Sequence, residues 1–145
     1  DLTQLSEQSG GRICSRMTTW SFRHAAYAAS VADVVVSPDT GILHASGAFD
    51  VPKVGLIGAN TIENITKHFV NDFSLEADRV SAGCAPCHRI IQDAEFQCPK
   101  DPVTKGVWCM TFGIDPAKVA DRIDQALEVP YDGAYSRAAS ACLTG

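Results

Sequence analysis

The chain has 145 residues, of which 46% are hydrophobic and 20% charged, and its formal net charge is −5 at pH 7. This length and composition are typical of one soluble globular domain with its own hydrophobic core. The acidic balance argues against nucleic acid as a partner, because nucleic acids select basic surfaces. No stretch approaches the roughly 18 apolar residues that a membrane helix needs. The sequence has neither an initiator methionine nor a secretion signal, so we expect a cytoplasmic chain that is a fragment or a processed product.

The first predicted elements are a strand, a helix and a second strand. Residues 1–12 are polar and predict a loop, and residues 13–15 a short strand. An alanine-rich segment over residues 20–29 predicts a closely packed helix, with Thr19 as its cap. The β-branched segment 32–37 shows no alternation, which predicts a strand buried on both faces, as in a parallel sheet.

The helix and strand pattern continues through the middle of the chain. We predict a short helix over residues 42–48, a second buried strand over 53–57, a weak helix within 59–72 and a short strand within 73–82. Helices that alternate with buried strands through short connections are typical of an α/β layer with parallel strands.

The clearest helix is the last one. Asp115 is its predicted N-cap, Pro116 occupies its first position and Pro130 stops it. We assign residues 1–128 to one domain and expect the tail, residues 129–145, to be loosely held. Three apolar residues spaced by four form the helix's predicted buried face: Val119, Ile123 and Leu127.

The turn between the strand at 32–37 and the helix at 42–48 is a candidate phosphate site. Ligands of open parallel sheets bind at the carboxyl ends of strands, and the unpaired amides that begin a helix attract anions. Asp39, Thr40 and Gly41 form this turn, and His44 lies one helical turn further on. The simpler interpretations are that Asp-Thr-Gly is an ordinary turn and that His44 is structural.

Two segments resemble the signature of the ADP-heptose heptosyltransferases, glycosyltransferase family nine. Residues 39–46 spell Asp-Thr-Gly-Ile-Leu-His-Ala-Ser, and residues 51–58 spell Val-Pro-Lys-Val-Gly-Leu-Ile-Gly. The chain departs from the family pattern at Ser46-Gly47, where Ala or Leu is usual. We place the resemblance at about residues 13–127.

The resemblance implies the C-terminal, donor-binding half of a GT-B glycosyltransferase, an α/β protein with a Rossmann-like parallel sheet. Asp39, Thr40, Gly41, Ile42 and His44 would then bind the diphosphate and adjoining sugar of an ADP-heptose-like donor. Such enzymes are inverting, and need no catalytic metal if a helix start stabilises the leaving charge. Their general base lies in an N-terminal acceptor domain, so this chain alone would bind donor without catalysing transfer. The alternative is a non-catalytic nucleotide-sugar-binding or metal-stabilised interaction module.

Four of the six cysteines fall in a segment over residues 84–109 that begins with Cys-Ala-Pro-Cys. Cys-x2-Cys is the usual half of a tetrahedral thiolate site, and the spacing does not separate zinc from iron. Disulfides within the segment from Cys84 to Cys109, and reduced free thiols, are the alternatives. The predicted ligands of this structural metal are Cys84, Cys87, Cys98 and Cys109.

The family resemblance also bears on this four-cysteine segment. Many heptosyltransferase-like sequences carry Cys-x-Pro-Cys followed by later cysteines. The related autotransporter heptosyltransferases bind iron through four cysteines at such a place and form oligomers. The resemblance therefore implies a metal-binding insertion and a homo-oligomer. It also implies work at the cytoplasmic face of the inner membrane, in lipopolysaccharide biosynthesis or on a protein acceptor, beside an N-terminal domain or partner subunit.

Overall fold

The structure is a computed structural model that describes residue 8 and residues 20–88, 98–101 and 106–131. The strand predicted at residues 13–15, the predicted cap Thr19 and the tail beyond residue 131 lie outside these described residues.

A three-stranded parallel sheet occupies the centre of the described chain. Its strands are β1 (Val35–Pro38), β2 (Lys53–Ile57) and β3 (Leu75–Glu76), and they pair in the order β1-β2-β3. Both pairings are parallel, which confirms the α/β layer predicted from the alternation of helices and strands. The bounds of β2 agree with the predicted segment 53–57.

The first strand differs from its prediction. Val35 and Ser37 are buried, but Val36 between them is 42% exposed, so the strand alternates instead of being buried on both faces. Successive side chains of a strand point to opposite faces of the sheet, so Val36 lies on the face opposite to Val35 and Ser37, and that face is open at this position. The central strand β2 shows the predicted double burial, since only Leu56 is partly exposed.

Helix α1 (Phe22–Ser30) begins later than the sequence suggested. Ser21, and not Thr19, is its N-cap: the backbone of Ser21 is extended and its hydroxyl accepts a hydrogen bond from the His24 amide at 3.3 Å. A side-chain oxygen in this position satisfies one of the amides that begin every helix.

Four short helices follow, and three of them lie within segments where the sequence predicted weak or short structure. The second half of the predicted strand segment 73–82 is helical because Asp78 caps it, its carboxylate accepting hydrogen bonds from the amides of Val80 and Ser81. The helices are α2 (Gly41–Ser46), α3 (Ile62–Ile65), α4 (Arg79–Ala82) and α5 (Trp108–Phe112).

The last helix, α6 (Pro116–Leu127), confirms its predicted start. The Asp115 carboxylate accepts a hydrogen bond from the Ala117 amide at 2.9 Å. The predicted buried face is wrong at its end, because Leu127 is 52% exposed whereas Ala126 is fully buried. Residues spaced by four drift about 40° per step around a helix of 3.6 residues per turn, so the third member leaves the contact face.

One core cluster joins α1 to β1. Ala29, Val35 and Val51 are buried in it, and Tyr131 packs against them. The Tyr131 hydroxyl donates a 2.7 Å hydrogen bond to the carbonyl oxygen of Ser30, 101 residues earlier. The first residues after α6 are therefore held against the domain, at the point where the predicted loose tail begins.

A second cluster joins β2 and β3 to the helices that follow. Its buried members are Ala77, Ala82, Cys109 and Ile114, with Met110 partly buried beside them. Cys109 of the four-cysteine segment is thus a core residue that packs from α5 against the sheet. Burying side chains of this kind stabilises a fold by about 0.8 kcal/mol per methylene.

Lys53 is a fully buried charged residue at the start of β2. Its Nζ donates hydrogen bonds to the carbonyl oxygens of Phe49 at 3.0 Å and Val70 at 2.7 Å. Burial lowers the pKa of Lys53, and the carboxylates of Asp72 and Asp50 act in the opposite direction. The lysine therefore ties the connections before and after β2 to each other.

Two threonines at the ends of α3 should respond oppositely to replacement by valine. The Thr61 hydroxyl accepts from the Asn64 amide at 3.2 Å, whereas the buried Thr66 hydroxyl has no partner among the described residues. Thr61→Val should lower the free energy of unfolding by about 1 kcal/mol, because the helix loses its N-cap hydrogen bond. Thr66→Val should be neutral or stabilising by up to about 1 kcal/mol, because an unsatisfied hydroxyl is removed at constant shape. Urea unfolding measures both, and a larger loss for Thr66→Val would show that its hydroxyl has a partner.

Candidate functional site

The carboxyl ends of the three parallel strands lie at one edge of the sheet. Three connections leave this edge, at residues 39–41 after β1, 58–61 after β2 and 77–78 after β3. Open parallel sheets bind their ligands outside this edge. The predicted donor turn is the first of these connections, and the structure places it where a ligand of such a sheet would bind.

The first connection is exposed and leads directly into α2. Thr40 is the N-cap but makes no side-chain capping hydrogen bond. The helix's first main-chain bond runs from the His44 amide to the Thr40 carbonyl oxygen at 3.2 Å. Among the described residues, nothing accepts from the three preceding amides, those of Gly41, Ile42 and Leu43. Leu43 is fully buried, so the amides at the helix start that an anion can reach are those of Gly41 and Ile42.

The structure brings Asp39 and His44 together. The His44 Nε2 lies 3.0 Å from the Asp39 Oδ1, and the two side chains are 51% and 36% exposed. An ionised carboxylate can only accept a hydrogen bond, so Nε2 carries the proton and Nδ1 faces away from this contact. Asp39 therefore fixes the loop through His44, and Thr40, not Asp39, is the N-cap of α2.

Two contacts around the turn differ from the sequence-based expectation. The Thr40 hydroxyl lies 2.9 Å from the Ser37 hydroxyl, which itself donates to the Pro38 carbonyl oxygen at 3.0 Å, so Thr40 donates to Ser37. The Thr40 hydroxyl hydrogen is therefore engaged within the turn and not directed at a ligand. A Cβ on Gly41 would lie 3.1 Å from Cε2 of Phe22, so the exposed Phe22 ring covers part of the space above the glycine. No sequence pattern predicted the Phe22 contact.

The start of α3 is closed by side chains. Glu76, at the carboxyl end of β3, accepts a hydrogen bond from the Ile62 amide at 2.6 Å. Thr61 accepts from the Asn64 amide, and Asn60 accepts from the Thr61 amide at 3.0 Å. Among the described residues, α3 leaves one first-turn amide without an acceptor, that of Glu63, whereas α2 leaves three.

The four-cysteine segment lies against the second connection. The His88 amide donates to the Ala59 carbonyl oxygen at 2.7 Å. A Cβ on Gly58 would lie 2.8 Å from both the Cys109 Sγ and the Met110 Sδ. The segment therefore covers the loop that follows β2, at the same edge of the sheet as the donor turn.

The four cysteines are free thiols in the structure, so the alternative of disulfides within the segment is not seen. Among the described residues, no three His, Cys, Asp or Glu side chains are gathered in a geometry that could hold a metal. The predicted insertion is thus not seen as a formed cluster. The sulfurs are nevertheless near one another: burial raises the pKa of the Cys109 thiol, and the charges of the other three cysteines raise it further.

Cys98 has the surroundings of a stabilised thiolate. Burial would raise the pKa of its thiol, but backbone amides donate hydrogen bonds to the sulfur and the net pKa is lowered. Hydrogen bonds to the charged form of a group favour that form. The donating amides belong to Trp108, Lys100 and Asp101.

A cavity of about 150 Å³ lies beyond the end of β3, lined by residues that include Glu76, Ser81, Phe112 and Lys118. The predicted donor residues do not line it. Its volume is also below the roughly 300–1,000 Å³ of pockets that enclose drug-sized ligands. The cavity is therefore too small to enclose a nucleotide sugar.

A parallel sheet whose strands end in polar connections defines an α/β protein of the ligand-binding kind. The chain belongs to glycosyltransferase family 9 (heptosyltransferase), whose family profile matches residues 2–92. That match contains the donor turn but ends before Cys98 and Cys109, whereas the resemblance was expected to reach residue 127. No curated protein and no solved structure matches the chain. In the described part of the chain, no helix has the length and apolar character needed to cross a membrane.

The two glycines at the ends of β1 and β2 should respond differently to alanine. Gly58→Ala places a methyl group against Cys109 and Met110. We expect this overpacking to lower the free energy of unfolding by about 1–3 kcal/mol. Gly41→Ala meets only the exposed Phe22 ring, which can move, so its effect should stay within about 0.5 kcal/mol. Thermal and urea unfolding of the two variants test this contrast, and equal losses would contradict the packing seen at Gly58.

Proposed function

We propose that this chain is the donor-binding part of a heptosyltransferase-like, inverting glycosyltransferase of the GT-B type. The observation that carries the proposal is the Asp39–His44 pair beside the open start of α2, exposed at the carboxyl edge of the sheet. Family membership supports a nucleotide-sugar donor. We therefore propose that a nucleotide-sugar donor binds at the start of α2.

The chemistry of the turn suits a diphosphate. The open amides of Gly41 and Ile42 are neutral donors at the positive end of a helix, and they require no metal. His44 adds a ring that Asp39 orients, and Nδ1 is left for the ligand. When the acceptor hydroxyl attacks the anomeric carbon, the bond to the diphosphate breaks and its negative charge grows. Donors fixed beforehand at that position stabilise the leaving group.

Transfer also needs a base and an acceptor site, and the proposal assigns neither to these residues. We propose that an N-terminal domain or partner subunit supplies them, at the cytoplasmic face of the inner membrane, with a lipopolysaccharide core or a protein as acceptor. The chain alone would then bind the ADP-sugar without turning it over. The competing function is a non-catalytic nucleotide-sugar-binding module, which predicts the same binding but no transfer with any added acceptor domain.

Calorimetric titration with ADP and ADP-heptose, beside GDP- and UDP-sugars, tests donor binding. We expect the adenine nucleotides to bind and His44→Ala to weaken them about 10- to 100-fold, because a hydrogen bond to a charged group contributes about 1.5–3 kcal/mol. His24→Ala is the matched control, since His24 is exposed on α1 and only its backbone amide takes part in capping. Absence of binding to every nucleotide, or equal losses in the two variants, would refute the proposed site.

We also propose a structural metal, zinc or iron, on the four-cysteine segment. The support is the packing of Cys109 at the loop of Gly58, close enough to the other three cysteines for their charges to raise its pKa, and the three amides that donate to the Cys98 sulfur, an arrangement that suits a metal-bound thiolate. Cys84 and the exposed Cys87 would have to close on Cys109 to complete a tetrahedral site. Four thiolates leave no open position, so the ion would brace the loop at Gly58 and take no part in the transfer.

Metal content and pH dependence test this second proposal. We expect one ion per purified chain, lost in Cys98→Ser and retained in Cys142→Ser, which alters a cysteine outside the segment. The raised pKa of Cys109 means that its thiol keeps a proton near neutral pH, and a metal must displace that proton. The apparent affinity should therefore rise between about pH 6 and about pH 8. If metal-free protein takes up neither zinc nor iron at the higher pH, the metal proposal is wrong and the four cysteines are structural thiols.

A further inference from the structure

The chain departs from the family pattern at Gly47, and the structure shows what fills the space. A Cβ at this position would lie 2.4 Å from Cε1 of Phe69, and the two neighbouring ring carbons would be almost as close. No side chain fits there while the Phe69 ring keeps its place. The ring comes from the connection between α3 and β3, twenty-two residues further along the chain.

The same ring contacts His44. The ring centroids of Phe69 and His44 are 6.4 Å apart and the planes meet at 88°, an edge-to-face arrangement. His44 and Gly47 are three residues apart on α2, so they share one face of the helix. The imidazole consequently has the Asp39 carboxylate on the side of the donor turn and the Phe69 ring on the side of the helix's end.

Lys53 contacts Phe69 and helps to fix its position. The Lys53 Nζ lies 5.9 Å from the Phe69 ring centroid and donates to the carbonyl oxygen of Val70, the next residue. The Phe69 amide donates to the Thr66 carbonyl oxygen at 2.8 Å. Backbone and ring are thus both fixed, and the contact is more than a chance meeting of two mobile side chains.

We propose that Phe69, seated in the space that Gly47 leaves open, is a positioning residue that holds the His44 ring toward Asp39 and the donor turn. The inference rests on the proposed role of His44 in donor binding. A ring confined on two sides loses little rotational freedom when the donor binds, so confinement raises affinity without any contact between Phe69 and the ligand.

A double-mutant cycle separates positioning from simple packing. Phe69→Leu should weaken ADP binding about 2- to 10-fold, the effect of losing one aromatic pair. In a His44→Ala background, Phe69→Leu should not weaken ADP binding further, because the His44 ring through which Phe69 acts is absent. Phe69→Tyr keeps the ring and should bind as the unaltered chain does. Equal losses from Phe69→Leu in both backgrounds would overturn the proposal, and thermal unfolding of each variant checks that it folds.

Nuclear magnetic resonance tests the geometry without any donor. The unaltered chain should show cross-relaxation between the His44 and Phe69 ring protons. The His44 ring signals should shift in Phe69→Leu and stay in place in Phe69→Tyr. Absence of that cross-relaxation overturns the inference even if ADP binds. If the cross-relaxation is present but the chain binds no nucleotide, the proposed donor site is wrong. The contact between Phe69 and His44 is then established without it.

Discussion

The parallel pairing of β1 with β2, from Val35 opposite Lys53 to Pro38 opposite Leu56, is the constraint on which the site depends. Parallel strands end at one edge, so the turn at 39–41 and the loop at 58–61 emerge side by side. The buried Lys53 secures the opposite end of β2 through two carbonyl oxygens. Because the strand cannot slip without breaking these two hydrogen bonds and leaving a buried ammonium unpaired, the register also fixes where α2 begins and where the amides of Gly41 and Ile42 lie.

Two parts of the molecule meet at this edge, and each is tied to the sheet differently. The donor turn is exposed and is organised by a few polar contacts, among which the Asp39–His44 hydrogen bond is central. The four-cysteine segment packs through Cys109 and Met110 onto Gly58, where there is no room for a side chain. A metal on the cysteines would therefore stiffen the neighbouring loop, while the donor turn keeps the accessibility that a ligand requires.

Local signals in the sequence predicted what depends on local physics. The apolar run of β2 and the Asp115-Pro116 start of α6 were identified correctly, because burial and capping are properties of adjacent residues. The exposure of Val36 and Leu127 was missed, since it depends on which elements cover a strand or a helix face. The turn at 39–41 is a predicted donor site because of its pattern, but Phe22 and Phe69 reach Gly41 and His44 from other parts of the chain. The spacing of residues in a single sequence cannot predict such long-range contacts. It cannot predict whether the cysteines pair either.

The most direct test of the central claim follows the backbone amides of the chain by two-dimensional nuclear magnetic resonance while ADP is added. The account predicts saturable shifts concentrated on the amides of Gly41 and Ile42, together with the ring signals of His44. Shifts centred on the cavity beside Lys118, or none anywhere at millimolar nucleotide, would contradict it and remove the helix start as the place where the donor binds.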